Sequence, residues 1–493
     1  MRRIANLLGI VIVLTAQIVS ADNPKTMRID FYHTGNNDNE IFSLDRVVLE
    51  PLQFSGNLQQ PIDKTLRGKY SFEIVDAESG DIAWSRSFSS IYGEWETTGE
   101  AREMNRTFHE SLRFPVQEKE FDVVLNKRGE QNRFAEIWRM RIDPNDYLVH
   151  QESAAYAEHV VAIENNGDPA TKVDLLLLGD GYTADEQDAF LEKARELTEE
   201  LFATSPFMER RNDFNVWALA PRADQSGVSR PSTNAYRDTP VGATYDAFRS
   251  ERYVLTYNNS HWRRIASSVP YDFVEILTNS DTYGGGGIYG LFSTAAANSE
   301  WASYLFIHEF GHHFAGLADE YYTSSVAYES PTEIIEPYEP NVTALLDPEN
   351  LKWKHLVEPY TPLPTPWPKD AYEKHSLAYQ ARRDNMRKEN LPESEMNKLF
   401  RANQEIVEGM FSKAEHRDGI GAFEGAKYQA EGYYRSELNC IMFTRATNFC
   451  RVCAAAIERV IDEYTKSARV QTSPTALSEV DRLNWKSAHH TYP

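Results

Sequence analysis

From Met27 to about Tyr147, apolar and polar side chains alternate with period two. Ile29 and Phe31 alternate with Arg28 and Asp30. Tyr70, Phe72 and Ile74 lead through Asp76-Ala77-Glu78-Ser79-Gly80-Asp81 into Ile82, Trp84 and Phe88, the pattern of a hairpin. Phe108, Leu112 and Phe114 continue the series, followed by Phe121, Val123 and Leu125, then Trp138, Met140 and Ile142. Repeated short strands with polar turns predict an antiparallel β-sandwich. No catalytic constellation lies in it, so it reads as an accessory or packing domain.

A polar stretch around Asn165-Asn166-Gly167-Asp168 marks a boundary, and the period then changes. Val173 to Leu178 is a continuous apolar run, the mark of a buried strand. Thr183 and Glu186 have capping-box spacing, and Phe190, Leu191, Ala194, Leu197 and Leu201 follow at helical intervals. Phe214 to Ala220 and Phe273 to Leu277 are further strands, so strand–helix–strand order predicts an α/β domain. The polar loop from about Arg222 to Ala243, with Asp224, Arg230, Arg237 and Asp238, reads as a cleft or scaffold loop. Gly284 to Gly287 precede Ile288 without a following Lys-Ser/Thr pair, which argues against a phosphate cradle. They read instead as a loop beside an edge strand, where an extended peptide can pair with the main chain. Residues from about Asp370 to His416 are charged and helical in pattern and are expected to wall a cleft; a last helix runs from about Cys450 to Thr465. The expected organisation is a segment 1–21, a β-sandwich 22–155, an α/β domain 156–468 with an insert at about 325–418, and a polar tail 469–493.

Composition narrows the classes. The chain has 493 residues, enough for two or three domains, with 41% hydrophobic and 12% aromatic residues for ordinary cores. A net charge of −23 gives no electrostatic reason to bind nucleic acid or an anionic membrane. Residues 1–21 read as an export signal: Arg2 and Arg3 begin it, Leu7 to Leu14 is apolar, and Val19-Ser20-Ala21 suits cleavage. That run is too short to span a bilayer, and no Cys adjoins it, so the expected product is periplasmic or secreted with no membrane anchor. Only Cys440, Cys450 and Cys453 occur. A metal knuckle usually needs four ligands and no second Cys pair exists, so a disulfide from Cys440 to Cys450 or Cys453 is expected in an oxidising compartment.

The chemistry lies in His308-Glu309-Phe310-Gly311-His312. On a helix, residues four apart share a face, so His308 and His312 aim two imidazoles at one point with Glu309 beside it. Two neutral imidazoles suit zinc, and the neighbouring carboxylate can take a proton from an attacking water. With 13 His and 74 acidic residues in the chain, chance supplies roughly 0.05 such matches, so two bystander histidines beside a surface Glu is the weaker reading. The apolar Trp301, Ala302, Tyr304, Leu305, Phe306 and Ile307 bury the helix, and buried polar groups need a partner. Gly316 can end the helix in a left-handed conformation, after which Asp319 or Glu320 can return a carboxylate to the metal.

His308 to Tyr322, Cys440-Ile441-Met442 and Phe449-Cys450-Arg451-Val452-Cys453 resemble the immunoglobulin-A peptidase family. So do Leu178 to Thr183, Ser226 to Pro231 and the four-glycine run. The resemblance implies a bacterial secreted zinc endopeptidase on a metzincin-like fold, with Met442 as the turn methionine under the metal. The common metzincin run is His-Glu-x-x-His-x-x-Gly-x-x-His/Asp. Here Ala315 and Ala318 hold the expected positions, and Gly316 and Asp319 each come one residue late. One zinc is expected on His308, His312 and Asp319, with Asp319 preferred to Glu320 because Asp substitutes for the third metzincin His. Glu309 is the expected general base, and Tyr433 or Tyr434 is a candidate second donor to the oxyanion. The expected partner is a protein or peptide substrate, with immunoglobulin-like proteins among the candidates. Competing readings are a surface or carbohydrate-binding protein with an inert zinc domain, and a zinc amidase acting on a non-protein substrate. The sequence does not set the oligomeric state.

Overall fold

The computed structural model describes residues 23–324, 326–328 and 333–466. The expected export signal and the expected polar tail lie outside the described residues. In the N-terminal region, Lys25–Gly35 lies between Glu40–Gln53 and Arg106–Pro115, antiparallel to both. A short strand, His150–Gln151, adds to Glu40–Gln53 in parallel, so this sheet departs from the all-antiparallel expectation. A second sheet, in the order Ile82–Phe88, Tyr70–Asp76, Phe121–Arg128 and Phe134–Ile142, is antiparallel throughout. The period-two pattern puts Ile29 and Phe31 of the first sheet and Phe72, Ile74, Val123 and Leu125 of the second into one shared core.

The polar face of the first sheet is not solvated. Arg28 and Asp30 are buried and paired at 2.8 Å, and Arg28 also reaches Glu50 at 2.8 Å and Glu152 at 3.0 Å. Across this face, Asn259 of the helix Asn259–Ala266 donates to Ser111 at 2.7 Å. The N-terminal region is therefore packed against the rest of the chain through a satisfied polar layer, which alternation alone reads as a solvent face.

The second region is built on a six-stranded mixed sheet. Its order is Gly285–Ile288, Phe292–Ala296, Phe273–Thr278, Val173–Asp180, Phe214–Leu219 and Val161–Glu164. The inner four strands are parallel and each edge strand is antiparallel. Leu175 and Leu177 face one layer with Phe190, Phe310 and Phe314, while Leu176 and Leu178 face the other with Trp262 and Phe292. Cover on both faces explains why the run reads as continuously apolar. Thr183 and Glu186 form the capping box ahead of the helix Gln187–Phe202. The insert folds as the helices Lys369–Lys388 and Glu393–Phe411, which pack on each other. The molecule is thus a mixed α/β, multidomain protein with several sheets, and none of its described helices is long and apolar enough to cross a membrane.

Candidate active site

The helix Ala302–Ala315 carries the His-Glu-x-x-His residues. Phe306, Phe310 and Phe314 anchor its buried side. It ends at Gly316, whose φ of 59° and ψ of 35° are left-handed, the conformation glycine adopts most readily. The one-residue lag is explained here. The helix continues through Ala315, and the capping glycine and the aspartate move together, so Asp319 still follows the cap by three residues.

Three donor atoms converge. His308 Nε2 and His312 Nε2 are 3.2 Å apart, and Asp319 Oδ1 lies 3.1 Å and 3.2 Å from them. His308 Nδ1 donates to the Ile441 carbonyl at 2.9 Å and His312 Nδ1 to the Leu317 carbonyl at 2.6 Å. A carbonyl can only accept, so each Nδ1 carries its ring proton and each Nε2 is free to present a lone pair. Two such lone pairs and a carboxylate oxygen facing one point form a geometry that can hold a cation. A tetrahedral zinc with bonds of 2.0–2.1 Å has ligand–ligand edges of about 3.3–3.4 Å, close to these separations. With no cation the cluster must hold a proton. Burial alone would lower His312, but the Asp319 carboxylate outweighs it and lifts the imidazole to about 9.

Asp319 is itself held in place. Its other oxygen accepts from the Tyr428 hydroxyl, and its backbone carbonyl accepts from Lys427 N–H at 3.0 Å. Lys427 and Tyr428 are the two-residue turn of the hairpin Phe423–Ala426 and Gln429–Arg435, both at positive φ (50° and 63°). Two non-glycine residues in that region are strained, and strain is kept where surrounding contacts over-determine it. Tyr428 N–H donates to the Tyr321 carbonyl at 3.1 Å, so the turn grips residues 319–321 from both ends.

Glu309 is next to the donors. Burial raises its carboxyl above the ordinary value, with His308 and His312 opposing and Asp319 reinforcing. The glycine run packs on the same helix. A Cβ on Gly287 would sit 2.3 Å from the Glu309 carbonyl, and one on Gly285 would sit 3.1 Å from Glu309 Cγ. The run is an edge strand, but its outer side is not free for strand addition along its length. Gly285 N–H donates to Arg252 (3.0 Å) and its carbonyl accepts from Val254 (3.1 Å), which corrects the expectation of an open edge.

Met442 is fully buried, and its sulfur lies 3.1 Å from where a Cβ on Gly311 would stand. Tyr433 lines the cleft, but its hydroxyl accepts from Ile335 N–H at 3.4 Å. The Tyr434 hydroxyl faces Glu424 at 3.4 Å, and Tyr434 is not a cleft residue. Arg252 was missed: its guanidinium lies over the Tyr321 ring at 5.4 Å, and its charge acts on Glu309. Glu320 does not join the histidines. It is fully buried and turned toward the cysteines. The expected disulfide is absent: all three cysteines are free, with the Cys440 and Cys453 sulfurs 3.8 Å apart.

The donors open into a cleft of about 650 Å³. Gly285, Gly286 and Gly287 form one wall, Tyr379 and Gln380 of the insert another, and Glu94, Arg128 and Asn132 of the N-terminal region a third. A helix-borne His pair, a returning carboxylate and an adjacent Glu at an open cleft are the residues of a metallopeptidase. The family description "IgA Peptidase M64" matches residues 161–461, and "Peptidase M64 N-terminus" matches residues 20–139. The chain belongs to the immunoglobulin-A peptidase M64 family and is a peptidase of the metallo type. No curated protein matches it.

Proposed function

We propose that the protein is an exported zinc endopeptidase with Glu309 as general base. The observation that carries this reading is the convergence of His308 Nε2, His312 Nε2 and Asp319 Oδ1, with both Nδ1 protons committed to carbonyls, beside a raised Glu309. These three atoms would hold one zinc ion. Bound there, zinc supplies Lewis acidity, acidifying water and polarising a carbonyl oxygen. Glu309 accepts a proton from the attacking water and returns it to the leaving amine, and burial raises its basicity above that of an ordinary carboxylate. Tyr428 and the carbonyls of Ile441 and Leu317 orient the donors. Tyr434 donates towards Glu424 outside the cleft, and Arg252 and Tyr321 join Tyr433 as cleft-lining candidates to hold the oxyanion.

In this reading residues 156–468 are a metzincin-like unit with Met442 as the turn methionine, and residues 22–155 are a β-sandwich that walls the cleft. The substrate is a protein or peptide; the family description names immunoglobulin A, and for this chain only the peptide-bond chemistry is taken from it. The test is digestion of a peptide library by the full chain, read by mass spectrometry. Internal cleavage that stops with a chelator and returns with zinc is expected. Library peptides left intact while a non-peptide amide is hydrolysed would replace this reading with the amidase.

A further inference from the structure

The three cysteines belong to one cluster. Cys450 caps the helix Arg451–Thr465, and its sulfur accepts from Cys453 N–H at 3.3 Å. The Cys-x-x-Cys spacing thus puts two sulfurs in the first turn of one helix. Cys440 lies in the turn ahead of Met442, and its sulfur accepts from Cys450 N–H at 3.2 Å. The fourth member comes from the far side of the chain. Glu320 Oε1 is 3.5 Å from the Cys453 sulfur, and the donor atoms of all four residues lie within 4.8 Å of one another.

Among the described residues, Ser436 Oγ lies 3.3 Å from the Cys450 sulfur, but Glu320 keeps an unmet oxygen. Glu320 is 0% exposed; Asn341 donates to Oε1 at 3.0 Å, and Oε2 has no hydrogen-bond partner. Arg435 is the neighbouring cation, but its Nη groups go to the backbone carbonyls of Glu424, Gly425 and Leu438, and its Nε–H, like Glu320 Oε2, has no hydrogen-bond partner. An acidic group buried with an unmet oxygen beside three thiols calls for a cation. We infer that Glu320, Cys440, Cys450 and Cys453 hold a second, structural zinc ion. Tetrahedral zinc with bonds of about 2.3 Å to sulfur has sulfur–sulfur edges of about 3.8 Å, and the Cys440–Cys453 separation is 3.8 Å. Three sulfurs and one carboxylate oxygen suit zinc rather than calcium or magnesium. Four protein donors leave no open position, and none of the four residues lines the cleft, which makes the site structural. Binding releases the thiol protons to solvent. A disulfide would use only two sulfurs and leave Glu320 Oε2 unmet.

The second ion also fixes the frame of the first. Asp319 and Glu320 are consecutive, Glu320 N–H donates to the Met442 carbonyl at 2.8 Å, and Ile441 accepts from His308. The inference rests on the cysteine cluster and not on the peptidase reading.

The test is metal analysis of the full chain, with zinc and then with cobalt as the probe. Two zinc ions per chain are expected in the wild type, one in Cys453→Ser and one in His312→Ala. Cobalt should give a near-ultraviolet thiolate charge-transfer band in the wild type and in His312→Ala, and none in Cys453→Ser. Should Cys453→Ser fail to fold, the wild-type and His312→Ala spectra decide alone. A cobalt-loaded wild type without that band, or a disulfide among the three cysteines in mapped native protein, overturns the inference. Loss of peptidase activity in His312→Ala with the band retained separates this site from the catalytic one.

Discussion

Asp319 shows how one side chain is set by others far away in sequence. Its Oδ1 faces the histidines and its Oδ2 takes the Tyr428 hydroxyl, 109 residues on. Tyr428→Phe should leave the fold intact and weaken metal binding at the His site about 10- to 100-fold, the usual effect of losing an orienting partner. Competition titration with a chelator measures it; unchanged affinity would remove Tyr428 from the account. Asp319→Ala should abolish metal at the His site, because two imidazoles alone make a poor zinc site. Metal analysis of that variant against His312→Ala tests it, and full retention would return the third position to another group. His308, Glu309, His312 and Asp319 were legible because helical periodicity and a short capped turn bring them together. Tyr428 was not: its hairpin turn is Lys427-Tyr428, without the Asn-Gly or Asp-Gly that marks a tight turn in a sequence. The cysteine cluster escaped for a related reason. Its fourth donor is a glutamate over a hundred residues before Cys440, and a search for a second Cys pair cannot find it.

The glycine-rich strand Gly285–Ile288 is the element that forms one wall of the cleft. Its side-chain-free backbone lies directly on the active-site helix, and Gly287 has no room for a Cβ beside the Glu309 carbonyl. Gly287→Ala should therefore destabilise the protein by about 1–3 kcal/mol through overpacking, and should lower activity by shifting Glu309. Gly409, inside the helix Glu393–Phe411, has open space around it, so Gly409→Ala should be neutral or stabilise by up to about 1 kcal/mol. Thermal unfolding of the two variants side by side checks the contrast, and equal melting temperatures would contradict it. The edge position of this strand was readable from the glycines and the following apolar residues. Its covered outer side was not, because the Arg252–Val254 segment that blocks it meets the strand through one isolated bridge at Tyr253 and is too short to show a strand pattern.

At the scale of the whole molecule, the N-terminal region is a wall of the cleft as well as a packing partner. Glu94, Arg128 and Asn132 line it, although no chemistry marks them in the sequence. The strands were legible from period two, but their docking was not, since the buried Arg28–Asp30–Glu50 layer reads as solvent-facing. Glu94→Ala should alter which library peptides are cut while leaving metal content at wild-type level; an unchanged cleavage profile would limit this region to packing. The central claim is that Glu309 moves the proton while three other side chains hold the metal. Metal content and peptide hydrolysis measured together in Glu309→Gln test it most directly. The account predicts wild-type metal and fold with a rate lower by about two to four powers of ten, because a neutral amide accepts no proton. A Glu309→Gln protein that keeps its metal and cleaves at close to the wild-type rate would contradict it.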